Sequence, residues 1–197
     1  MAAFLDALML SSPWELLAVV LAIAYLTLAI RQSLWCWPAA AIGAVIYTVL
    51  FADARLYMES LLQAFYLVMA AYGFWQWKRG APGKNAELKV TQLNWRWHLY
   101  SIIVLSVLSL CIVWLLTHYT DAEEVYLDTF TTVFSFFATF LVTKKILETW
   151  YYWLVIDSFY VFLFWSKGFY ATALLFALYT VMVVIAFWRW RQDMVRN

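Results

Sequence analysis

Charged residues are scarce in this chain of 197 residues, and so are cysteine, proline and glycine. Only 13% of the residues carry a charge, whereas soluble domains average roughly 25%. So few charges cannot cover a surface that faces water, and 66% of the residues are apolar. The net charge of +1 gives no clustered excess of lysine and arginine, which excludes a nucleic-acid-binding protein. We therefore expect a protein that lies in a lipid bilayer.

Other absences narrow the class of protein further. The two cysteines, Cys36 and Cys111, fall in separate apolar runs and predict neither a disulfide framework nor a metal site. His98 and His118 stand at opposite ends of one run, and no Ser/His/Asp set or metal-ligand spacing is present. The five glycines include no phosphate-binding loop. We expect no catalytic residues, no cofactor and no ATP-driven pump.

Seven apolar runs are present, and a helix needs about 20 residues to cross the hydrocarbon core. They cover residues 14–30, 34–52, 56–77, 97–118, 125–143, 146–165 and 169–188. Most breaks are short turns, which make neighbouring helices antiparallel. Only the polar stretch 78–96 is long enough to be a linker. The sequence predicts an all-α integral membrane protein with seven transmembrane helices and no separate soluble domain.

The two halves of the chain match when the sequence is shifted by 113 positions. Without a gap, the shift aligns identical residues: Trp37 with Trp150, Tyr47 with Tyr160, Phe51 with Phe164, Tyr57 with Tyr170, Tyr66 with Tyr179, and Met69 with Met182. We predict two parallel three-helix repeats joined by a linker helix, a 3 + 1 + 3 architecture. Carriers built this way hold substrate near the midplane between the halves. A purely structural duplication is the alternative.

The repeat divides the chain into segments. Residues 1–13 form an interfacial N-terminal segment, 14–78 the first repeat, 79–96 a cytoplasmic linker, 97–119 the linker helix, 125–191 the second repeat and 192–197 a cytoplasmic tail. Tryptophan and tyrosine crowd the ends of the runs and predict an interfacial aromatic belt. The predicted belt includes Trp14, Trp35, Trp37, Trp75, Trp77, Trp95, Trp97, Trp188 and Trp190.

Basic residues are distributed unevenly between the two ends of the predicted helices. If the N-terminus lies outside, eleven of the 13 lysines and arginines fall on the inner side, and only Arg55 and Lys167 fall outside. The positive-inside rule then predicts a periplasmic N-terminus and a cytoplasmic C-terminus. The turn with Asp121, Glu123 and Glu124 would lie outside, as a solvated loop or as a mouth that concentrates cations.

The sixth run carries an acidic residue within an aromatic face. Steps of three and four residues place on one helical face Trp150, Trp153, Asp157, Tyr160 and Phe164. A carboxylate in hydrocarbon is costly unless it is paired, wetted or offset by a cation, and aromatic faces attract cationic rings. We predict a site for a cationic heteroaromatic ligand. Alternatively, the tryptophans only pack and Asp157 bonds a neighbouring helix.

Two runs of the first half present comparable faces. One carries Glu59, Gln63, Tyr66, Ala70 and Gly73, and the other carries Trp37, Ala40, Ala44, Tyr47 and Phe51. Gln63 lies near the middle of the membrane and needs partners for both ends of its amide. The 113-residue shift aligns Asp157 with Ala44 and Gln63 with Phe176. The predicted site is therefore asymmetric.

Several motifs resemble the PnuC family of bacterial vitamin transporters over nearly the whole chain. They are Leu61-Leu62-Gln63 with Tyr66 and Tyr72-Gly73, the block Glu148-Thr149-Trp150-Tyr151-Tyr152-Trp153 with Asp157, and Lys167-Gly168 with Tyr170. The resemblance implies a fold similar to that of SWEET sugar carriers, a homotrimer in the bacterial inner membrane, and facilitated diffusion of a vitamin that a cytoplasmic kinase traps by phosphorylation. The candidate substrate-binding residues are then Gln63, Tyr66, Trp150, Trp153, Asp157, Tyr160, Glu148, Tyr47, Trp37 and Glu59.

The sequence departs from the nicotinamide riboside carriers of that family at three positions. Those carriers tend to show asparagine where this chain has Thr149, Asp157 and Ala70, and no apolar run here contains asparagine. Only Gln63 remains to read the carboxamide and ribose of nicotinamide riboside, whereas a carboxyl group suits the aminopyrimidine and thiazolium rings of thiamine. We predict thiamine transport, with nicotinamide riboside as the alternative. A channel or a non-transporting membrane scaffold is a further alternative, which saturable uptake would exclude.

Overall fold

Seven α-helices make up the described part of this chain, which a computed structural model describes at residues 13–53, 57–80, 88–119, 125–166 and 170–196. They are α1 (Pro13–Ile30), α2 (Cys36–Asp53), α3 (Tyr57–Arg79), α4 (Trp95–Tyr119), α5 (Val125–Thr143), α6 (Thr149–Ser166) and α7 (Tyr170–Arg196). Within these ranges the only β-structure is an isolated bridge between Thr91 and Ile146. The prediction of a seven-helix, all-α membrane fold is confirmed.

The helices of the described part have about the length of membrane spans. The shortest has 18 residues, which gives roughly 27 Å at 1.5 Å per residue. By length and hydropathy together, three stretches of the described residues are able to cross a bilayer: Trp95–Tyr119, Val125–Thr143 and Ala173–Arg196. Leu16–Ile30 and Cys36–Leu50 are apolar but shorter. Helix α7 continues to Arg196, so most of the segment expected as a tail is helical.

Two turns at equivalent positions of the repeats have the same geometry. Gln32 follows α1 with a φ of 54°, and Lys145 follows α5 with a φ of 52°. The Gln32 N–H donates to the Ala29 carbonyl at 2.9 Å, and the Lys145 N–H donates to the Val142 carbonyl at 3.0 Å. A left-handed residue at this point ends a helix and satisfies its last carbonyl groups. The two helices therefore end in the same kind of C-terminal cap.

Two indoles join the halves reciprocally. Trp77 of α3 donates its Nε1–H to the Val142 carbonyl at 3.3 Å, and Trp190 of α7 donates to the Ala29 carbonyl at 3.0 Å. Adding 113 converts Trp77 into Trp190 and Ala29 into Val142. Each half thus gives the other the bond that it receives, as a pseudo-twofold axis between the repeats requires. The side of the protein where these bonds lie, which includes the ends of α1, α3, α5 and α7, is called the basic side below.

Tryptophan fills the core on this side, contrary to part of the sequence-based interpretation. Trp37, Trp77, Trp150 and Trp190 are at most 8% exposed. The Trp37 and Trp77 rings meet edge to face at 5.2 Å, and the Trp150 and Trp190 rings do so at 5.0 Å. The assignment of Trp37, Trp77 and Trp190 to an interfacial belt is therefore wrong, because Trp37 is buried within the first half and Trp77 and Trp190 pack on each other between the halves. Trp14, Trp35, Trp75, Trp95, Trp97 and Trp188 are exposed and fit the belt.

The linker between the halves packs against the second half. Thr91 donates its N–H to the Lys145 carbonyl at 3.0 Å and accepts from the Leu147 N–H at 2.9 Å. Helix α4 then runs along α5 with most of its surface exposed. The predicted interfacial segment before residue 13, the acidic turn with Asp121, and Lys167 lie outside the described residues.

Candidate functional site

Four tyrosines from both halves come together at the centre of the fold. Tyr66 of α3 lies within electrostatic range of Tyr160 of α6, and Tyr179 of α7 lies within range of Tyr47 of α2. The 113-residue shift exchanges these two pairs. The pseudo-twofold axis therefore relates the two pairs to each other, and carriers of this architecture hold substrate between their halves. Three of them, Tyr47, Tyr66 and Tyr160, were predicted as site residues.

Asp157 introduces a carboxyl group into this tyrosine cluster. Its side chain is only 5% exposed, and it lies within electrostatic range of Tyr179. Among the described residues, no salt bridge reaches it. A buried carboxylate that lacks a protein cation is costly unless a ligand or water offsets its charge. Tyr179 lies within electrostatic range of both Asp157 and Tyr47, and a shared site for Asp157, Tyr160 and Tyr47 stays a prediction.

Helix α5 contributes a hydroxyl group that sequence reasoning missed. The Tyr66 hydroxyl hydrogen-bonds the side chain of Ser135, which is 5% exposed. On the same two helices, the rings of Phe65 and Phe136 pack at 4.1 Å. Serine in a helix commonly bonds its own backbone, so a serine in the fifth run carried no signal. The fifth run belongs to the site through this contact.

Gln63 stands one helical turn before Tyr66 on α3. Its side chain is partly buried, and no described residue hydrogen-bonds its amide. At the equivalent position of the second half, the Phe176 ring packs on Tyr160 at 4.7 Å and edge-on to Tyr179 at 5.8 Å. The site is thus polar on the Gln63 side and aromatic on the opposite side, which agrees with the predicted asymmetry.

The predicted tryptophans belong to the packed core rather than to an open face. Trp150 is 2% exposed against Trp190, and Trp37 is 2% exposed against Trp77. Trp153 is partly buried and packs against the same core. The Nε1–H groups of Trp37 and Trp150 are buried and find no hydrogen-bond partner in the part of the chain that the structure describes. Both indoles have a packing role, and the predicted contact with substrate stays a proposal.

Thr149 and Ala70, two of the three positions where the nicotinamide riboside carriers tend to have asparagine, are tightly packed. Thr149 is fully buried and donates its hydroxyl to the Ala138 carbonyl at 2.8 Å. Ala70 is 2% exposed in the hydrophobic core. Neither position leaves room for an amide in this conformation. Of the three departures, only Asp157 carries a polar group into the site.

The two other predicted acids, Glu148 and Glu59, are not seen at the tyrosine cluster. Glu148 lies 3.8 Å from His98 Nε2 of α4, and His98 Nδ1 lies 3.0 Å from the Tyr152 hydroxyl. Nine residues separate Glu148 from Asp157, about two and a half helical turns, so they face opposite directions. The structure therefore places Glu148 beside α4, away from the tyrosine cluster. The side chain of Glu59 lies outside the described part of the structure.

A groove of about 860 Å³ runs between α4, α5 and α6, beside Glu148. Its walls are almost entirely apolar and aromatic, and it opens on the outer surface of the bundle. Three polar residues of its lining, His98, Glu148 and Tyr152, contact one another, so the groove does not present the separate convergent polar groups expected of a vitamin site. Among the described residues, no group of histidine, cysteine and acidic side chains could hold a metal ion.

Tyr179 is the main site residue that sequence reasoning did not select. The signal was present, since Tyr179 aligns with the selected residue Tyr66 under the 113-residue shift. The shift also aligns Gln63 with Phe176, which packs on both Tyr160 and Tyr179.

Comparison with known proteins agrees with this architecture. The sequence model of the nicotinamide mononucleotide transporter family matches residues 12–192. The nicotinamide riboside transporter PnuC of Escherichia coli is 26% identical, over 73% of this chain and 70% of that protein. The riboflavin/roseoflavin transporter RibM of Streptomyces davaonensis is 23% identical, over 86% of this chain and 80% of that protein.

A solved structure shows the same fold. The crystal structure of the vitamin B3 transporter PnuC superposes with a TM-score of 0.71 at 21% identity, over 91% of this chain and 81% of that chain. Relatives by sequence and by fold are transporters and not enzymes. This chain belongs to the nicotinamide mononucleotide transporter family and is a multi-pass membrane transporter of the PnuC type.

Proposed function

We propose that this protein carries a cationic heteroaromatic vitamin across the bacterial inner membrane, and that the vitamin is thiamine. The observation that carries the proposal is Asp157, a buried carboxyl group without a salt-bridge partner among the described residues, beside Tyr179. A thiazolium ring would supply the missing positive charge, and an aminopyrimidine would supply N–H donors to the carboxyl group.

The tyrosine cluster suits such a ring. Four phenol rings from two helix pairs can contact both faces of a planar ligand, and a desolvated cation–π contact contributes about 2 kcal/mol. Because Tyr47 and Tyr66 come from one half while Tyr160 and Tyr179 come from the other, a bound ring would touch both halves. Binding of the vitamin could therefore be coupled to the movement of one half relative to the other.

Nicotinamide riboside is the second candidate. The Escherichia coli relative carries it, and its pyridinium ring is also a cation. The amide of Gln63, which bonds no described residue, can bond a carboxamide or a ribose hydroxyl, but it is the single amide near the tyrosine cluster among the described residues. Riboflavin, named for the Streptomyces relative, has an uncharged ring and would leave Asp157 unpaired.

Transport is proposed to run down the gradient of the vitamin itself, with trapping by a cytoplasmic kinase. The sequence has no phosphate-binding glycine loop, and the position of Asp157 near Tyr179 suits a ligand partner better than one link in a chain of acids. Vesicles loaded with no kinase should take up labelled vitamin to equilibrium and no further. Accumulation above equilibrium under an imposed proton or sodium gradient would contradict facilitated diffusion.

Calorimetric titration of the purified protein with thiamine, nicotinamide riboside and riboflavin tests the substrate. We expect thiamine to bind tightest, and Asp157→Asn to weaken thiamine binding by about 5- to 150-fold, as expected for the loss of a buried polar partner. Asp53→Asn removes an acid that is exposed at the end of α2 and serves as the matched control. Tighter binding of nicotinamide riboside by the parent protein would overturn the thiamine assignment and leave the carrier function intact.

A further inference from the structure

A set of polar contacts joins the two halves at the basic side, separate from the tyrosine cluster. Lys145 donates its Nζ to the Gln32 Oε1 at 3.1 Å, and Gln32 donates its Nε2 to the Asp193 Oδ2 at 2.8 Å. The Lys145 ammonium also lies 4.6 Å from the centre of the Trp77 ring. The chain of contacts therefore runs from the second half to the first and back again.

The reciprocal indole bonds lie next to this chain. The Trp77 indole bonds the Val142 carbonyl three residues before Lys145, and the Trp190 indole bonds the Ala29 carbonyl three residues before Gln32. Trp77 and Trp190 themselves pack at 6.1 Å. All of these groups are at the ends of α1, α3, α5 and α7. Those four ends would have to separate for a ligand to leave the tyrosine cluster on this side.

We propose that these contacts form a latch that closes the basic side of the carrier and breaks when the carrier opens there. The latch consists of Gln32, Trp77, Lys145, Trp190 and Asp193. The inference rests on the carrier function and not on the identity of the vitamin. A carrier must open to each side in turn, by movement of one half against the other.

The chemistry of the latch suits reversible opening. Every bond in it joins side chains or a side chain to a carbonyl group, so no backbone ladder has to be broken. Lys145 lies two residues after α5 and Asp193 lies in the last turn of α7, so we expect water to solvate both groups once the helix ends separate. The bonds are also reciprocal, so a rotation about the pseudo-twofold axis breaks both indole bonds together. A few weak bonds that break together give two states rather than a gradual opening.

The latch is asymmetric at one pair of positions. Gln32 and Lys145 align under the 113-residue shift, yet one is an amide and the other an amine. Asp193 aligns with Gly80, which ends α3 with a φ of 71°. Because α7 continues past this point, it presents a carboxylate to the latch at the position where α3 has already ended in a glycine. The amide of Gln32 can accept from Lys145 and donate to Asp193 at the same time, which neither a lysine nor an acid could do.

Spin-label distances test the latch without any vitamin. In a background of Cys36→Ala and Cys111→Ala, labels at Lys78→Cys and Arg191→Cys report the separation of α3 and α7, because both positions are exposed and directly follow the latch indoles. We expect one short distance in the parent protein in liposomes. Replacing Trp77 and Trp190 by phenylalanine should move the open-to-closed ratio by about two- to twelvefold for each hydrogen bond removed. Trp75→Phe with Trp188→Phe, at exposed equivalent positions on the same helices, should leave the distance unchanged.

Cross-linking tests whether the latch must open during transport. A short bis-methanethiosulfonate reagent should bridge Gln32→Cys and Lys145→Cys and stop vitamin uptake until a reductant is added. Bridging Thr48→Cys and Ser60→Cys, which join α2 and α3 within one half, should leave uptake at the parent rate. The inference would be overturned by an unchanged distance distribution in the Trp77/Trp190 double variant, or by uptake that continues after residues 32 and 145 are bridged.

Discussion

The indole of Trp37 packs directly on Gly73, so closely that a Cβ atom at position 73 would overlap its ring. Gly73 belongs to α3 and Trp37 to the start of α2, and their contact sets how closely these two helices approach. The equivalent residue of the second half is Ala186, which is fully buried. The first half therefore requires glycine at a position where the second half accepts a methyl group.

Gly73→Ala should destabilise the protein. A methyl group forced against a buried indole costs about 1–3 kcal/mol as overpacking, which exceeds the gain of up to 1 kcal/mol from the better helix propensity of alanine. The thermal midpoint in detergent is the measurement. Gly43→Ala is the control, because its added Cβ would meet the Leu21 Cβ at an ordinary 3.6 Å. An unchanged midpoint for Gly73→Ala would show that the two helices do not depend on this close approach.

The aromatic face of α6 should divide into a packing residue and a binding residue. Trp150→Ala should lose about 3–5 kcal/mol of stability, because it removes a fully packed indole from the core. Trp153→Ala should lower the stability less than Trp150→Ala, since Trp153 is only partly buried. It should lower vitamin affinity by about 5- to 150-fold. Thermal midpoints and titrations on both variants separate the two effects. Unchanged affinity in Trp153→Ala would remove that residue from the site.

Asparagine at positions 70 and 149 should not create a nicotinamide riboside carrier. Ala70→Asn would bury an amide in the hydrophobic core, and Thr149→Asn would replace a hydroxyl that bonds the Ala138 carbonyl. Each change should cost about 1–3 kcal/mol of stability. The thermal midpoint and the affinity for nicotinamide riboside are measured together. A gain in affinity without a loss of stability would mean that these positions line the pocket after all.

The N-terminus is predicted to be periplasmic and the C-terminus cytoplasmic. In a background without native cysteine, an impermeant maleimide should label Glu123→Cys from outside the cell, because the acidic turn lies on the side with only two basic residues. Lys84→Cys, in the basic linker, should react only after the membrane is permeabilised. Labelling of position 84 in intact cells, with position 123 shielded, would reverse the topology.

The fold was predictable because the bilayer imposes a simple rule on the chain. Each crossing needs a long apolar run, and the seven runs of this sequence became seven helices. The repeat was readable for a related reason. Rare residues such as Trp37 and Trp150 keep their spacing when they keep the same packing partner, and both pack edge-on to the equivalent indole.

The site was predicted only in part, because a helical face does not reveal what it meets. Asp157 and Tyr160 share a helical face on which Tyr160 meets Tyr66 of the other half and Asp157 meets Tyr179 of the same half. Trp150 lies on that face too, but it packs in the core at the start of the helix. The role of an aromatic residue at a helix end depends on tertiary packing, since lipid and protein are equally apolar neighbours. Tyr179 and Ser135 contact the site from α7 and α5, and only the arrangement of the helices brings them there.

The contact between positions 32 and 145 has a consequence for how such a protein could arise. In an assembly of two identical three-helix units, a position on the twofold axis meets its own copy. Two lysines would repel each other there. Two glutamines would provide no positive charge to balance the carboxylate of Asp193. A single polypeptide that contains both units is free of this restriction, since each copy of the position can mutate alone. Covalent fusion of the units thus allows an unequal pair on the axis, which a homodimer could not encode.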